Sequence, residues 1–191
     1  MTLLLADKPV RTDTQPNAGG NEELAPVHLS LPPEPDEFDR LAEYACTVDG
    51  FAAAVGGQLI LTQFLAATDE PTYVAAAQQA ARDATAAGFT ITEFDYDLVN
   101  TSDIADRINC SRQAIRQYIQ GTRGPGGFPA RFGHAGHSDI WDWGSVNTWF
   151  RDFNGTGDPS YLPTRIVLDR LNGWLRQETA HGGSPGNCPT R

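Results

Sequence analysis

The feature that most constrains the fold is a pair of short amphipathic runs joined by a tight turn, within residues 101–120. Apolar residues recur at helical spacing in the first run, at Ile104, Ala105 and Ile108. Either Thr101 or Ser102 can serve as the N-cap of this run. Asn109 follows, and asparagine is one of the few non-glycine residues that tolerates a left-handed backbone. The pattern predicts a short helix followed by a sharp turn.

The second run predicts a helix with one apolar and one polar face, capped by Ser111. Its inward positions are Ala114, Ile115, Tyr118 and Ile119, and its outward positions are Arg112, Gln113, Arg116, Gln117 and Gln120. Arginine can bond bidentately to guanine and glutamine to adenine, and both can hold phosphates. The outward face therefore has the chemistry for a DNA major groove.

The distribution of charge supports this interpretation more than the total does. The chain has a net charge of -10, which phosphate repels unless basic residues are gathered in one place. Residues 98–133 carry five arginines against two aspartates, a net charge of +3. The basic patch thus coincides with the two predicted helices.

Residues 101–120 resemble a helix-turn-helix, with small Ala105, Asn109 at the turn, and Ile115 and Tyr118 inward. The continuation is similar to the winged helix-turn-helix of MerR and AlpA/excisionase-like regulators. In those families a Phe-Pro strand, a hairpin, an aromatic strand and a further helix follow the recognition helix. The corresponding residues are Gly127-Phe128-Pro129 through Phe132, the turn Gly133 to Ser138, Ile140-Trp141-Asp142-Trp143, and a helix from Ser145 through Phe150.

The resemblance implies a sequence-specific, double-stranded DNA-binding regulator of transcription, of a bacterial, plasmid or phage type. We expect Arg112, Gln113, Arg116 and Gln117 to read the major groove, with Gln120 on the same face. Thr101 and Ser111 are expected to help hold phosphates. The wing residues that the resemblance assigns to the DNA backbone are Arg123 and Arg131, with His134 and His137 near the wing tip. The glycine-rich residues 121–127 could lie against phosphates or form a flexible corner.

The rest of the chain predicts an α+β protein. Residues 1–36 are rich in proline and are expected to be a disordered tail. Residues 37–97 are expected to form a small α/β module for dimerisation or regulation, resembling a partial ferredoxin-like sheet. Its predicted elements are a strand at 44–48, a helical turn at 51–55, a strand at 59–65, a helix capped by Asp69 or Thr72 and ending at Gly88, and a strand at 89–97.

Residues 98–155 then form the winged helix-turn-helix, residues 156–181 a C-terminal helix, and residues 182–191 a disordered tail. The C-terminal helix, at about 163–179, is apolar enough to need a partner. We expect it to pack on the wing domain or on a second copy of the chain. Because operator readers are commonly two-fold symmetric, a homodimer is favoured.

Other functional classes lack support in the sequence. There is no GxSxG, HExxH, Walker or dinucleotide-binding glycine motif, so we expect neither an enzyme nor a cofactor. His134 and His137 lie in a glycine-flanked turn, and the alternating Glu93, Asp95 and Asp97 are better explained as a solvated face, so no metal site is predicted. Trp141, Trp143 and Trp149 are expected to pack in the core.

Three widely spaced cysteines and no apolar span favour a cytoplasmic protein without a disulfide framework or a membrane segment. The alternative function is a protein-interaction module, such as an antitoxin or adaptor, whose acidic residues 41–97 bind a protein partner. The operator, the effector and the activating or repressing sense are not encoded in any recognisable pattern.

Overall fold

The computed structural model describes residues 24–34 and 36–182, and within them the fold is α+β. The strands are β1 (Leu24–Leu31), β2 (Gly50–Val55), β3 (Gln58–Ala66), β4 (Glu93–Phe94), β5 (Leu98–Asn100), β6 (Gly133–Ala135) and β7 (Ser138–Asp142). The helices are α1 (Glu37–Thr47), α2 (Glu70–Ala86), α3 (Thr101–Arg107), α4 (Arg112–Ile119), α5 (Trp143–Asn154) and α6 (Arg165–Gly182).

The first sheet is antiparallel, with the strand order β2-β3-β1-β4. With α1 after β1 and α2 after β3, its element order is β-α-β-β-α-β, the split βαβ order of ferredoxin-like sheets. Alternate residues of β1, namely Ala25, Val27, Leu29 and Leu31, are buried in the core that the sheet forms with α1 and α2. All four strands of that order are present, whereas the sequence predicts only a partial sheet of this kind.

The second sheet has the order β5-β7-β6 and is also antiparallel. It shares a separate core with α3, α4 and α5, centred on Ile104, Ile115, Val146 and Phe150, which are fully buried. Each core therefore belongs to one sheet and the helices that pack on it.

The N-terminal boundary of the first module differs from the prediction. Residues 24–31 fall within the predicted disordered tail, yet they form β1, a central strand paired with β3 and β4. Pro26 is tolerated because β4 pairs only with Leu29 and Ser30, so no ladder hydrogen bond is lost at Pro26. The prediction was wrong because proline content outweighed the alternating apolar pattern. Residues 1–23 and 35 of the predicted tail lie outside the described residues.

In two short segments the structure has a helix where a strand was predicted and a strand where a helical turn was predicted. The expected strand at 44–48 is the end of α1, because Leu41 and Ala45 lie one helical turn apart and bury one face. The expected helical turn at 51–55 is β2, which pairs along its length with β3 through a two-residue Gly56-Gly57 turn with positive φ at both residues. Pairing with β3 thus overrides the weak strand propensity of three consecutive alanines.

Other predictions in this module are confirmed. The strand at 59–65 is β3, and Asp69 caps α2 by accepting a hydrogen bond from the Thr72 N–H at 2.9 Å. Gly88 follows α2 with φ of 91°. Of the strand expected at 89–97, only Glu93 and Phe94 are paired as a strand.

The apolar face of the C-terminal helix packs on the first module, which neither expectation named. Val167, Leu168, Leu171 and Leu175 of α6 are buried in the core of the first module, against α2 and β4. The prediction was wrong because hydrophobic periodicity shows that a helix needs a partner but not which partner it has. Gly182, the first residue of the predicted C-terminal tail, ends α6, and residues 183–191 lie outside the described residues.

Candidate nucleic-acid interface

The first helix of the candidate site, α3, begins at a cap one residue earlier than predicted. Asn100 accepts hydrogen bonds from the backbone N–H groups of Ser102 and Asp103 at 2.7 and 3.2 Å. Asp103 reciprocates by accepting from the Asn100 N–H at 2.9 Å, which completes a capping box. Thr101 is therefore the half-buried first residue of α3 and not its cap. An Asn followed three residues later by Asp is a sequence signal that could have identified the cap.

The turn between α3 and α4 follows the prediction. Asn109 has φ of 55°, in the left-handed region. The Cys110 N–H donates to the Ala105 carbonyl at 2.9 Å, which holds the turn against α3. Ser111 then caps α4 by accepting from the Ala114 N–H at 3.2 Å. The angle at which α4 leaves the turn is thus fixed by backbone and cap hydrogen bonds.

Cys110 is half-buried against the second core, and burial raises the pKa of its thiol, with the Arg123 guanidinium acting in the opposite direction. The thiol is therefore protonated at neutral pH. This environment agrees with the interpretation of Cys110 as a small apolar residue of the turn.

Helix α4 separates an apolar face from an exposed polar face, as predicted. Ala114, Ile115 and Tyr118 are buried in the second core. Arg112, Gln113 and Arg116 are exposed, and Gln117 is half-buried. Gln120, exposed, is the C-cap. Arg112 and Arg116 lie four residues apart, on one face of the helix.

The two exposed arginines of α4 have no partner among the described residues. Neither guanidinium forms an ion pair, a hydrogen bond or a ring contact with residues 24–34 or 36–182. Their positive charge is therefore directed at solvent. A ligand phosphate or base edge could bind them without first breaking a contact within the protein.

The glycine-rich segment after α4 is anchored to the second core. Gly121 and Gly124 have φ of 68° and 82°, and a Cβ on Gly124 would lie 3.0 Å from the Tyr118 ring. Trp149 donates its indole N–H to the Gly126 carbonyl at 3.1 Å. Arg123 stacks over the Tyr118 ring, with its Cζ 5.1 Å from the ring centroid. The segment is thus held close to the C-terminal end of α4.

The hairpin after this segment is shorter than expected. Gly133–Ala135 pair with residues 138–140 of β7 through a turn at Gly136 and His137, so β6 lies inside the segment that was predicted to be a turn. The residues expected to form a Phe-Pro strand, 127–132, precede β6, and the Phe132 N–H bonds to the Ile140 carbonyl of β7. Phe128 instead packs against Trp149, at a ring-centroid distance of 5.1 Å.

Arg131, two residues before β6, shares the Asp139 carboxylate with His134. Arg131 lies 3.4 Å from Asp139 Oδ1, and His134 Nδ1 lies 2.8 Å from the same oxygen. The Arg131 side chain is nevertheless 60% exposed. Asp139, which sequence reasoning did not single out, therefore partly neutralises the hairpin.

One arginine of the basic patch is paired within the protein, although its side chain remains 39% exposed. Arg107 forms two hydrogen bonds to the Asp97 carboxylate, at 2.5 and 2.9 Å, and lies over the Trp143 ring at 4.9 Å. It therefore joins the two modules and leaves the exposed patch to Arg112, Arg116, Arg123 and Arg131. The prediction that the tryptophans belong to the core is confirmed, since Trp141 and Trp143 are buried and Trp149 is half-buried in aromatic contacts.

The described residues contain no group of three or more His, Cys, Asp or Glu side chains placed to hold a metal ion. No helix in the described part of the chain has the length and apolar character needed to cross a bilayer. Comparison of the chain with protein-family models, with curated proteins and with solved structures finds no match.

Proposed function

We propose that this chain is a sequence-specific, double-stranded DNA-binding regulator of transcription that uses α4 as its recognition helix. The observation that carries the proposal is the exposed face of α4, where Arg112, Gln113 and Arg116 have no contact with the described residues that would compete with DNA. Arginine and glutamine on a capped helix are the donors that guanine and adenine edges accept in a major groove.

The arrangement around α4 supports a winged helix-turn-helix. Along the chain, two short helices joined at Asn109 follow strand β5 and precede the hairpin β6-β7. In the sheet, β7 pairs with both β5 and β6. The hairpin follows the recognition helix, where a wing is expected, and α5 follows the hairpin. In this proposal the hairpin lies along the DNA backbone beside the groove that α4 enters.

The remaining predicted contacts have distinct roles in the proposal. Ser111 and Thr101 lie at the N-terminal ends of α4 and α3, where backbone N–H groups attract phosphate. Arg123, stacked on Tyr118, binds the backbone at the far end of α4, and Gln117 and Gln120 extend the polar face toward it. Arg131 binds through the wing, in competition with Asp139.

The proposal also specifies the oligomeric state of the protein and its cellular compartment. It acts as a homodimer, without an enzymatic activity or a cofactor, in the cytoplasm. Two copies are needed because a single small helix-turn-helix covers little DNA, and palindromic half-sites match a two-fold axis. The acidic first module contributes little to phosphate binding, since residues 24–97 carry twelve carboxylates against two arginines.

The experiment that tests the proposal is selection of bound duplexes from a random library by the full chain. The wild-type protein is expected to enrich a common sequence over successive rounds. The matched variant Arg112→Ala/Arg116→Ala removes two exposed guanidinium groups that have no partner in the described part of the chain, and it is expected to enrich none. Failure of the wild-type protein to enrich any sequence would refute the proposed function.

A further inference from the structure

The two edge strands of the first sheet, β4 and β2, differ in whether their outward backbone groups have hydrogen-bond partners among the described residues. At the β4 edge, the outward backbone groups of Phe94 are satisfied by one buried side chain. Asn172 of α6 accepts from the Phe94 N–H at 2.7 Å and donates to the Phe94 carbonyl at 3.0 Å. The strand is also only two residues long and carries Glu93. A short strand, a charged residue and a covering helix are common ways in which native proteins prevent further pairing at a sheet edge.

The β2 edge has no such cover from residues 24–34 or 36–182. The Phe64 N–H donates to the Asp49 carbonyl at 3.2 Å, and the register continues from Gly50 opposite Gln63 to Val55 opposite Gln58. Because hydrogen-bonded pairs alternate in an antiparallel ladder, residues 51, 53 and 55 bond to β3. The backbone groups of Gly50, Ala52 and Ala54 therefore point away from the sheet, and none has a partner among the described residues.

The composition of β2 also lacks the features that usually protect an edge. Its sequence, Gly-Phe-Ala-Ala-Ala-Val, has no charged residue and no proline, and its pairing with β3 has no bulge. Strands β1, β2 and β3 together contain no Asp, Glu, Lys or Arg. All twelve carboxylates of residues 24–97 lie elsewhere, so the edge is a neutral segment of a strongly acidic module.

Exposed apolar side chains lie on the same strand. Phe51 and Val55 are 51% and 62% exposed, and Phe51 contacts the exposed Phe64 of β3 at a ring-centroid distance of 6.2 Å. Because residues 51, 53 and 55 project from one face of the sheet, an added strand beside β2 would extend this apolar face.

We propose that β2 pairs antiparallel with β2 of a second copy of this chain, across a two-fold axis beside Ala52. In that register Ala52 lies opposite its own equivalent, and Gly50 lies opposite Ala54, so every outward backbone group of the edge gains a partner. The two four-stranded sheets become one continuous sheet.

A second copy fits this edge better than a charged partner does. Two chains of net charge -10 repel each other, and the repulsion is smallest where the contact segment carries no charge. The edge offers no charge for a basic or acidic partner to recognise. The interface lies in the first module and does not depend on the proposed DNA-binding function.

The test is the molar mass of the full chain in the absence of DNA, measured by sedimentation velocity over a wide range of protein concentration. The wild-type chain is expected to be a dimer. Ala54→Pro removes an outward N–H from each copy and leaves the ladder to β3 intact, so we expect the dimer dissociation constant to rise about tenfold or more. Ala54→Val keeps the N–H and favours a strand, so it should remain dimeric.

A second variant guards against misfolding of the proline variant. Ala54→Lys keeps the backbone donor but puts a charge on an edge strand that otherwise carries none, and it should also weaken the dimer. Circular dichroism and thermal unfolding establish that each variant is folded. A wild-type chain that stays monomeric at all concentrations would overturn the proposal. A monomer is the result expected if another segment of the same chain covers β2. A dimer that persists in folded Ala54→Pro and Ala54→Lys would place the interface elsewhere and overturn it as well.

Discussion

At the residue scale, His28 is a titratable side chain that lies where the two modules meet. It lies on β1, with its Nδ1 2.9 Å from the Thr62 hydroxyl, in a small cavity that Tyr73 and Trp143 also line. Burial lowers the pKa of His28 from its ordinary value of 6.5, and Arg107 adds to this effect. Asp97 and Asp95 oppose it without reversing it. The folded protein therefore favours the neutral imidazole.

This shift predicts a loss of stability in mild acid. Above about pH 6.5 the neutral form prevails in both the folded and the unfolded state, so the contribution of His28 to stability is fully present. As the pH falls below that value, the unfolded state takes up the proton first, and the contribution is lost. Denaturant unfolding at about pH 8 and about pH 5 should show a larger decrease for the wild type than for His28→Asn, whose amide can still bond to Thr62. Equal decreases for the two proteins would contradict the assignment.

At the element scale, Asp142 connects the starts of two helices. Its Oδ2 accepts hydrogen bonds from the Ser145 N–H and hydroxyl in the first turn of α5, at 2.9 and 2.7 Å. The same oxygen accepts from the Arg165 N–H at the start of α6, at 3.0 Å. Burial raises the pKa of Asp142, and these hydrogen bonds partly offset the effect. One buried carboxyl thus fixes α5, in the second core, relative to α6, in the first.

We expect Asp142→Ala to lower the free energy of unfolding by about 2 kcal/mol, through loss of the α5 cap and of the bond to Arg165. Asp142→Asn retains an acceptor oxygen and should cost less. Urea unfolding of the two variants at neutral pH measures both differences. If the alanine variant were as stable as the asparagine variant, the link between α5 and α6 would contribute nothing.

The elements that could be predicted from the sequence are those set by local chemistry. Ser111, Asp69, Asn109 and Gly88 each specify a cap or a turn through hydrogen bonding or backbone conformation, and each lies where expected. Strands β1 and β2 were missed because proline and alanine content misleads when pairing with β3 decides the structure.

The candidate site could be predicted in part for the same reason. The exposed face of α4 follows from helical periodicity within a single element. The pairing of Arg107 with Asp97 and of Arg131 with Asp139 depends on how elements meet, so the sequence could not show that these arginines are less available than Arg112 and Arg116.

At the scale of the whole molecule, the chain returns to its first module after completing the second. Helix α6 closes the first core, and Asn172 satisfies β4 while Arg107 joins Asp97 from the other side. A fragment ending before α6 would leave the backbone groups of Phe94 without Asn172 and its ring without Trp174. The two modules therefore fold as parts of one connected structure.

The charge of the whole molecule makes DNA binding depend on a small surface. With a net charge of -10, the protein is repelled by DNA everywhere except where exposed arginines are concentrated. Arg112 and Arg116 are the members of this surface that have no internal partner among the described residues. Their loss should therefore matter more than the loss of two other positive charges.

The most direct test of this claim is the affinity for a selected duplex, measured by fluorescence anisotropy at fixed salt. Arg112→Ala/Arg116→Ala should bind about thirtyfold or more weakly than wild type, with an unchanged circular dichroism spectrum. Arg170→Ala/Arg176→Ala, which removes the same charge from exposed positions on α6, should bind within about threefold of wild type. Equal weakening by the two pairs would show that only net charge matters, and undiminished binding by the α4 variant would contradict the role of α4 as the recognition helix.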